Sequence, residues 1–139
     1  MSQRTQSQDG FSFLEILIVL VIVGVLAAIA LPMYLKQQDA AKDANAKAAA
    51  RDLVTHVESC HAESEDYGTC DAAADLGKTG LTFGTAAGDV EVTSATRTSY
   101  VAVGHSATGN AFRIERTSGG LGHDCTAHGH AGCPDDGRW

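Results

Sequence analysis

"DGFSFLEILIVLVIVG", residues 9–24, opens the longest apolar run in the chain. The run continues through VLAAIAL, residues 25–31. Glu15 stands near its head and is the only charge between Asp9 and Lys36. As a helix, residues 11–31 span about 31 Å, the thickness of a bilayer core. A carboxylate at that depth costs several kcal/mol unless a partner meets it. A plain anchor gains nothing from that cost, so Glu15 points to a function beyond anchoring.

Residues 1–10, MSQRTQSQDG, are polar and hold no apolar segment, so they are no secretory signal by themselves. Ala28 and Ala30 mimic a small-residue cleavage site, which makes an ordinary signal peptide the competing reading of the run. Beyond Pro32 comes MYLKQQDAAKDANAKAAARDLVTHVES, rich in Ala, Lys, Gln and Asp and free of Gly. These residues continue a helix well. Ala46, Ala49 or Ala50, Leu53, Val57 and Cys60 recur at three- and four-residue spacing and make one apolar stripe. The expected helix covers residues 11–60, with an apolar first half spanning the membrane over 11–31 and an amphipathic second half. Gly24 and Pro32 are its expected breaks, Pro32 because it removes one internal hydrogen bond.

Residues 61–89 are dominated by Gly, Asp and Ala and read as a loop with one turn of helix. The pattern then changes. Val90 and Val92 alternate with polar residues, and SYVAVGHS (99–106) reads as a strand. AFRIER (111–116) turns Phe112 and Ile114 inward and Arg113 and Glu115 outward, and LGHDCT (121–126) is a candidate last strand. Gly- and Asn-containing turns separate them, as in an antiparallel meander wet on one face. His105 continues the face of Val101 and Val103 and reads as a strand-end core residue. The fold class is therefore α+β: a long N-terminal helix packed through Leu53 and Val57 on a small meander of three to four strands over 90–139.

That head is small and its core thin, and thin cores need outside help. Cys60, Cys70, Cys125 and Cys133 form an even set beyond a membrane segment, which reads as disulfides in an oxidising compartment. Four cysteines allow three pairings. Cys60 with Cys70 and Cys125 with Cys133 is favoured, because each pair closes a short loop, worth on the order of 2–3 kcal/mol by restricting the unfolded chain. His123, Cys125, His128, His130 and Cys133 have the density of a zinc site but fit no paired C-x2-C spacing, so no metal is assigned. No G-x-S-x-G and no phosphate loop is present, and no catalytic residue or cofactor is assigned. The formal charge is −7. From His61 onward eleven acids face five bases, which excludes a broad nucleic-acid surface and leaves room only for a small basic spot at Arg113 and Arg116.

The residues G-F-S-F-L-E at 10–15, followed by the apolar run, resemble the type IV prepilin signature. Gly24, Pro32 and Tyr34 fall at the spacings usual in that family. The motif is specific over about 25 residues; over 61–139 the resemblance is only architectural. It implies a leader over 1–10, cut between Gly10 and Phe11 by a membrane prepilin peptidase that also N-methylates Phe11. Phe11 then presents a cation. Glu15 is the anion that would meet the Phe11 ammonium of a neighbouring subunit and set register in a homopolymer. The resemblance also implies partners in the assembly machinery of the inner membrane, and a path from that membrane to an extracellular pilus. The tasks of such filaments span motility, adhesion, DNA uptake and secretion.

Ser12 stands where Thr is more usual and Phe13 where Leu is; both departures are mild. The leader's one basic side chain is Arg4, whereas Lys36, Lys42, Lys47 and Arg51 follow the span, against the positive-inside expectation. The cysteines and the cleavage position still put the N-terminus in the cytoplasm. Two alternatives stand beside the pilin reading. One is a pseudopilin of a type II secretion system, although pseudopilins often carry a calcium site where this chain has a C-terminal disulfide. The other, from a different class, is a single-pass anchored domain binding a ligand or metal through residues 123–133.

Overall fold

The computed structural model describes residues 10–139. The leader expected over 1–10 lies outside them except for Gly10. Helix α1, Phe13–Ser64, is followed by a short 3-10 turn at Tyr67–Thr69 and four strands: β1 Val90–Ala95, β2 Tyr100–His105, β3 Ala111–Thr117 and β4 Gly120–Cys125. The chain divides into two compact units, one ending at Leu35 and the other covering Lys36–Trp139.

In the first unit every side chain from Phe11 to Leu35 is exposed. α1 begins where the Ser12 carbonyl accepts the N–H groups of Glu15 and Ile16, at 3.0 and 3.2 Å. The helix then runs unbroken through Gly24 and Pro32. Pro32 forfeits one bond of the ladder, and the turns on either side keep theirs. Gly24 costs only about 1 kcal/mol relative to alanine, too little to end so long a helix.

The second unit is the expected α+β arrangement. The four strands form one antiparallel sheet in the order β1-β2-β3-β4. Tyr100 pairs with Arg116, Gly104 with Phe112, and Phe112 with Cys125, so these residues share rungs across the sheet. A register shift between Val92 and Ser94 puts an irregularity in β1. The outer side of β1 is closed at one end by the 82–84 segment, whose Thr82 carbonyl accepts from Val90 N at 2.9 Å.

The helix stripe is buried at Ala46, Ala50, Leu53 and Val57, and its C-terminal half packs with Tyr67, Cys70, Leu76, Val90, Tyr100 and Ala102. Ala46 belongs to a second cluster with Phe112, Cys125 and Cys133, against which Trp139 lies. Each fully buried large side chain contributes roughly 1.5–3 kcal/mol. Tyr100, Phe112, Leu53, Ile114 and Val57 are the largest apolar ones. Gly104 lets the sheet approach the helix: a Cβ there would come within 2.4 Å of the Ala46 carbonyl oxygen. α1 also extends four residues past Cys60. The helix-facing side of β2 is thus Tyr100, Ala102 and Gly104. His105 lies on the opposite face, partly exposed, with Nε2 2.9 Å from Glu91 Oε1. Its reading as a core residue is corrected; alternation in a strand sends 105 away from 104, and 104 is the residue that meets the helix.

Candidate functional site

The chemistry-bearing residues of the first unit sit at the start of α1. Gly10 and Phe11 precede the helix, and Phe11 is 80% exposed. Glu15 falls in the first helical turn, where the unpaired N–H groups favour a carboxylate. Among the described residues Glu15 makes no ion pair. It is set in an uninterrupted apolar surface, Phe13, Leu14, Ile16, Leu17 and onward to Leu35. A surface of this size and kind is suited to lipid or to other apolar helices, not to water. The helix is long and apolar enough to cross a membrane near its N-terminus.

In the second unit the residue that organises the fold is Asp43, fully buried. An ionised carboxylate only accepts hydrogen bonds. One of its oxygens accepts from Ser106 Oγ at 2.6 Å and from Thr108 Oγ1. The other accepts from Asn110 Nδ2 at 3.1 Å and from Gly132 N at 2.9 Å. Burial alone would raise its pKa, but these hydrogen bonds outweigh burial and hold the carboxyl below its ordinary value. One turn later Lys47 Nζ donates to the Gly132 carbonyl at 2.7 Å. Two helix side chains therefore hold both polar groups of Gly132. A side chain there would collide with Asp43, its Cβ 2.7 Å from that of Asp43.

Both disulfides form as favoured, Cys60 with Cys70 and Cys125 with Cys133. The second closes the loop that Asp43 and Lys47 grip. Lys47 and Arg51 also lie over the Trp139 ring, at 5.4 and 4.9 Å from its centroid. Trp139 donates its ring N–H to the Asp124 carbonyl at 2.7 Å. At the far end of the stripe Glu58 accepts from the hydroxyls of Tyr67 and Tyr100, at 2.7 and 2.9 Å, with Arg116 at 3.7 Å. Burial, followed by the Glu58 carboxylate, pushes the Tyr100 hydroxyl well above the ordinary phenol range. Since Cys125 and Cys133 are bridged, neither sulfur is a metal ligand. His123 packs edge-on against Trp139, with centroids 5.0 Å apart.

Sequence reasoning singled out Gly10, Phe11, Glu15 and the cysteines but passed over Asp43. A signal existed. Residues 43, 46, 50, 53 and 57 follow the same three- and four-residue spacing, so Asp43 lies on the buried stripe, one turn before Ala46. An acid at such a position needs donors, and the donors come from residues more than sixty positions away.

A family model described as the prokaryotic N-terminal methylation motif matches residues 5–31, the segment that carries Gly10, Phe11 and Glu15. The type IV major pilin protein PilA of Myxococcus xanthus (strain DK1622) is 34% identical over 102 residues, 68% of this chain. By motif and by relative, the chain is similar to the type IV pilin family. The match covers 46% of that relative, so the chain spans about half the length of the curated relative it matches. Like a pilin, it joins one long N-terminal helix to an antiparallel sheet with two disulfides in the head.

Proposed function

We propose that the chain is a structural subunit of a type IV pilus, not an enzyme. It is stored in the inner membrane through residues 11–31, cleaved after Gly10 and N-methylated at Phe11. It then polymerises with copies of itself into an extracellular filament. Its partners on that path are the prepilin peptidase and methyltransferase and the assembly machinery of the inner membrane.

The observation that carries this reading is Glu15, a carboxylate with no ion pair among the described residues, at the head of a wholly exposed apolar helix surface. In lipid an unpartnered carboxylate is costly, and a cation from a neighbour removes the cost. Cleavage at Gly10 creates such a cation at Phe11, since methylation of an amine keeps its charge. Because only one axial offset joins the two, the pair also fixes register between helices. Glu15→Ala is expected to be processed and inserted normally but to form no filaments. Electron microscopy of surface filaments, with immunoblotting for the processed chain, measures both. A normal filament yield from the variant would falsify the intersubunit pair.

A further inference from the structure

The four cysteines stand in unequal surroundings. Cys70, Cys125 and Cys133 are 0%, 3% and 2% exposed, whereas Cys60 is partly exposed. Cys60 borders an open cavity of about 250 Å³ together with His56, Glu63 and Asp75, and Cys70 takes no part in its lining.

The other end of that bridge can receive a released sulfur. Ser64 Oγ stands 3.4 Å from Cys70 Sγ and Thr69 Oγ1 3.9 Å, two hydroxyls able to donate to a thiolate. Once protonated, the same sulfur faces the Asp66 carbonyl at 3.6 Å. Opening the bridge leaves the Tyr67–Thr69 turn its other ties. Tyr67 is bonded to Glu58 at 2.7 Å and stacked on His61 at 3.8 Å, and Asp66 accepts from Gly68 N at 2.8 Å. Cys125–Cys133 is built differently. Cys125 N donates to the Gly137 carbonyl at 2.9 Å, and the Gly132 clamp directly precedes Cys133. Its buried sulfurs are reached only when that loop leaves α1.

Thiol–disulfide exchange needs a thiolate to reach one sulfur, and it runs faster when the departing thiolate is stabilised. We propose that Cys60–Cys70 is an exchangeable bridge in the folded head, attacked at Cys60 by a dithiol carrier with an uncharged or basic face. The carrier's thiolate bonds to Cys60 Sγ, the bond to Cys70 breaks, and its electron pair leaves on Cys70 Sγ, which takes a proton from water. The carrier's second thiolate then attacks the carrier sulfur of the mixed disulfide and displaces Cys60. The carrier ends as a disulfide and the bridge as two thiols; the reverse sequence closes it. The Glu63 and Asp75 carboxylates at the cavity repel an anionic thiol. The chemistry belongs to the head and needs neither cleavage nor polymerisation.

The test uses the full oxidised chain in detergent micelles at about pH 8, above the ordinary histidine range. Dithiothreitol is added, the reaction is quenched with acid, and alkylation of each cysteine is read by mass spectrometry. Cys60 and Cys70 are expected to be labelled roughly tenfold faster than Cys125 and Cys133, with the strand signal in circular dichroism unchanged. In denaturant the two bridges should open alike. A monothiol at short times should leave its adduct on Cys60. Mercaptoethanesulfonate should react about threefold more slowly than mercaptoethanol, and Glu63→Gln with Asp75→Asn should close that gap. Equal opening of both bridges in the folded chain would overturn the proposal. So would adducts on Cys70, or loss of the strand signal in step with Cys60 labelling. Equal rates for the two monothiols, or a gap that survives in the double variant, would overturn the choice of carrier.

Discussion

Among the described residues Glu15 and Asp43 are two carboxylates without an ion pair, and the fold treats them in opposite ways. Asp43 is buried and saturated by four donors from elsewhere in the chain. Glu15 stands on an apolar surface with no side-chain donor among the described residues. Asp43→Asn turns one acceptor into a donor among donors, and the expected cost is roughly 2–3 kcal/mol. Because the folded pKa is depressed, the contribution of Asp43 is fully present above the unfolded carboxylate range, roughly pH 4. It is lost as pH falls through the lower folded value. Denaturant unfolding at neutral and acidic pH should show wild type losing this advantage while the Asn variant lacks that part of the slope. Gly10 allows another clean test. A Cβ at Gly10 would meet nothing within 4 Å, so Gly10→Arg has no folding cost in the described chain. It should block leader removal, and N-terminal sequencing that still begins at Phe11 would refute the cleavage assignment.

Among the elements, α1 is two materials in one helix. Its first half is apolar all round and its second half carries a single stripe, so continuity of backbone hides a change of environment. The sheet was legible as strands because Phe112 and Ile114 alternate with charged residues, and the structure buries both. The face of β2 was misread at His105 because Val101 and Val103 share its face and made that face look like the core side; packing against α1 went to the other face, Tyr100, Ala102 and Gly104. The Cys125–Cys133 bridge, Gly132 and Trp139 belong together as one element docked on α1. Removing the bridge by Cys125→Ser with Cys133→Ser should cost about 2–3 kcal/mol. Trp139 is the chain's single tryptophan. Its emission should shift to the red as this loop loosens, while the Cys60–Cys70 end keeps its packing. An unchanged spectrum and midpoint would show that Asp43 and Lys47 suffice to hold the loop.

At the scale of the whole molecule, apolar exposure is concentrated in one place. Among the described residues, all large exposed hydrophobics lie between Phe11 and Leu35 except Leu121. The core and both disulfides lie within Lys36–Trp139. A chain beginning at Lys36 should therefore be soluble without detergent and keep the sheet. Size-exclusion chromatography and circular dichroism, oxidised, check this; aggregation or loss of the strand signal would mean that the apolar half supports the head. The N-terminal half, the strand pattern and the local cysteine pairs could be read from sequence, because each rests on neighbours in the chain: hydropathy over twenty residues, alternation, short loops. The sequence by itself thus determined the membrane-length helix with its lone Glu15, the class of fold and the short disulfide loops. Only the tertiary structure decided that Asp43 and Lys47 clamp Gly132 and that Glu58 joins two tyrosines. The Gly132 clamp and the Glu58–Tyr100 bond join residues 42 to 89 positions apart on one helix face, and no local pattern encodes which donor arrives.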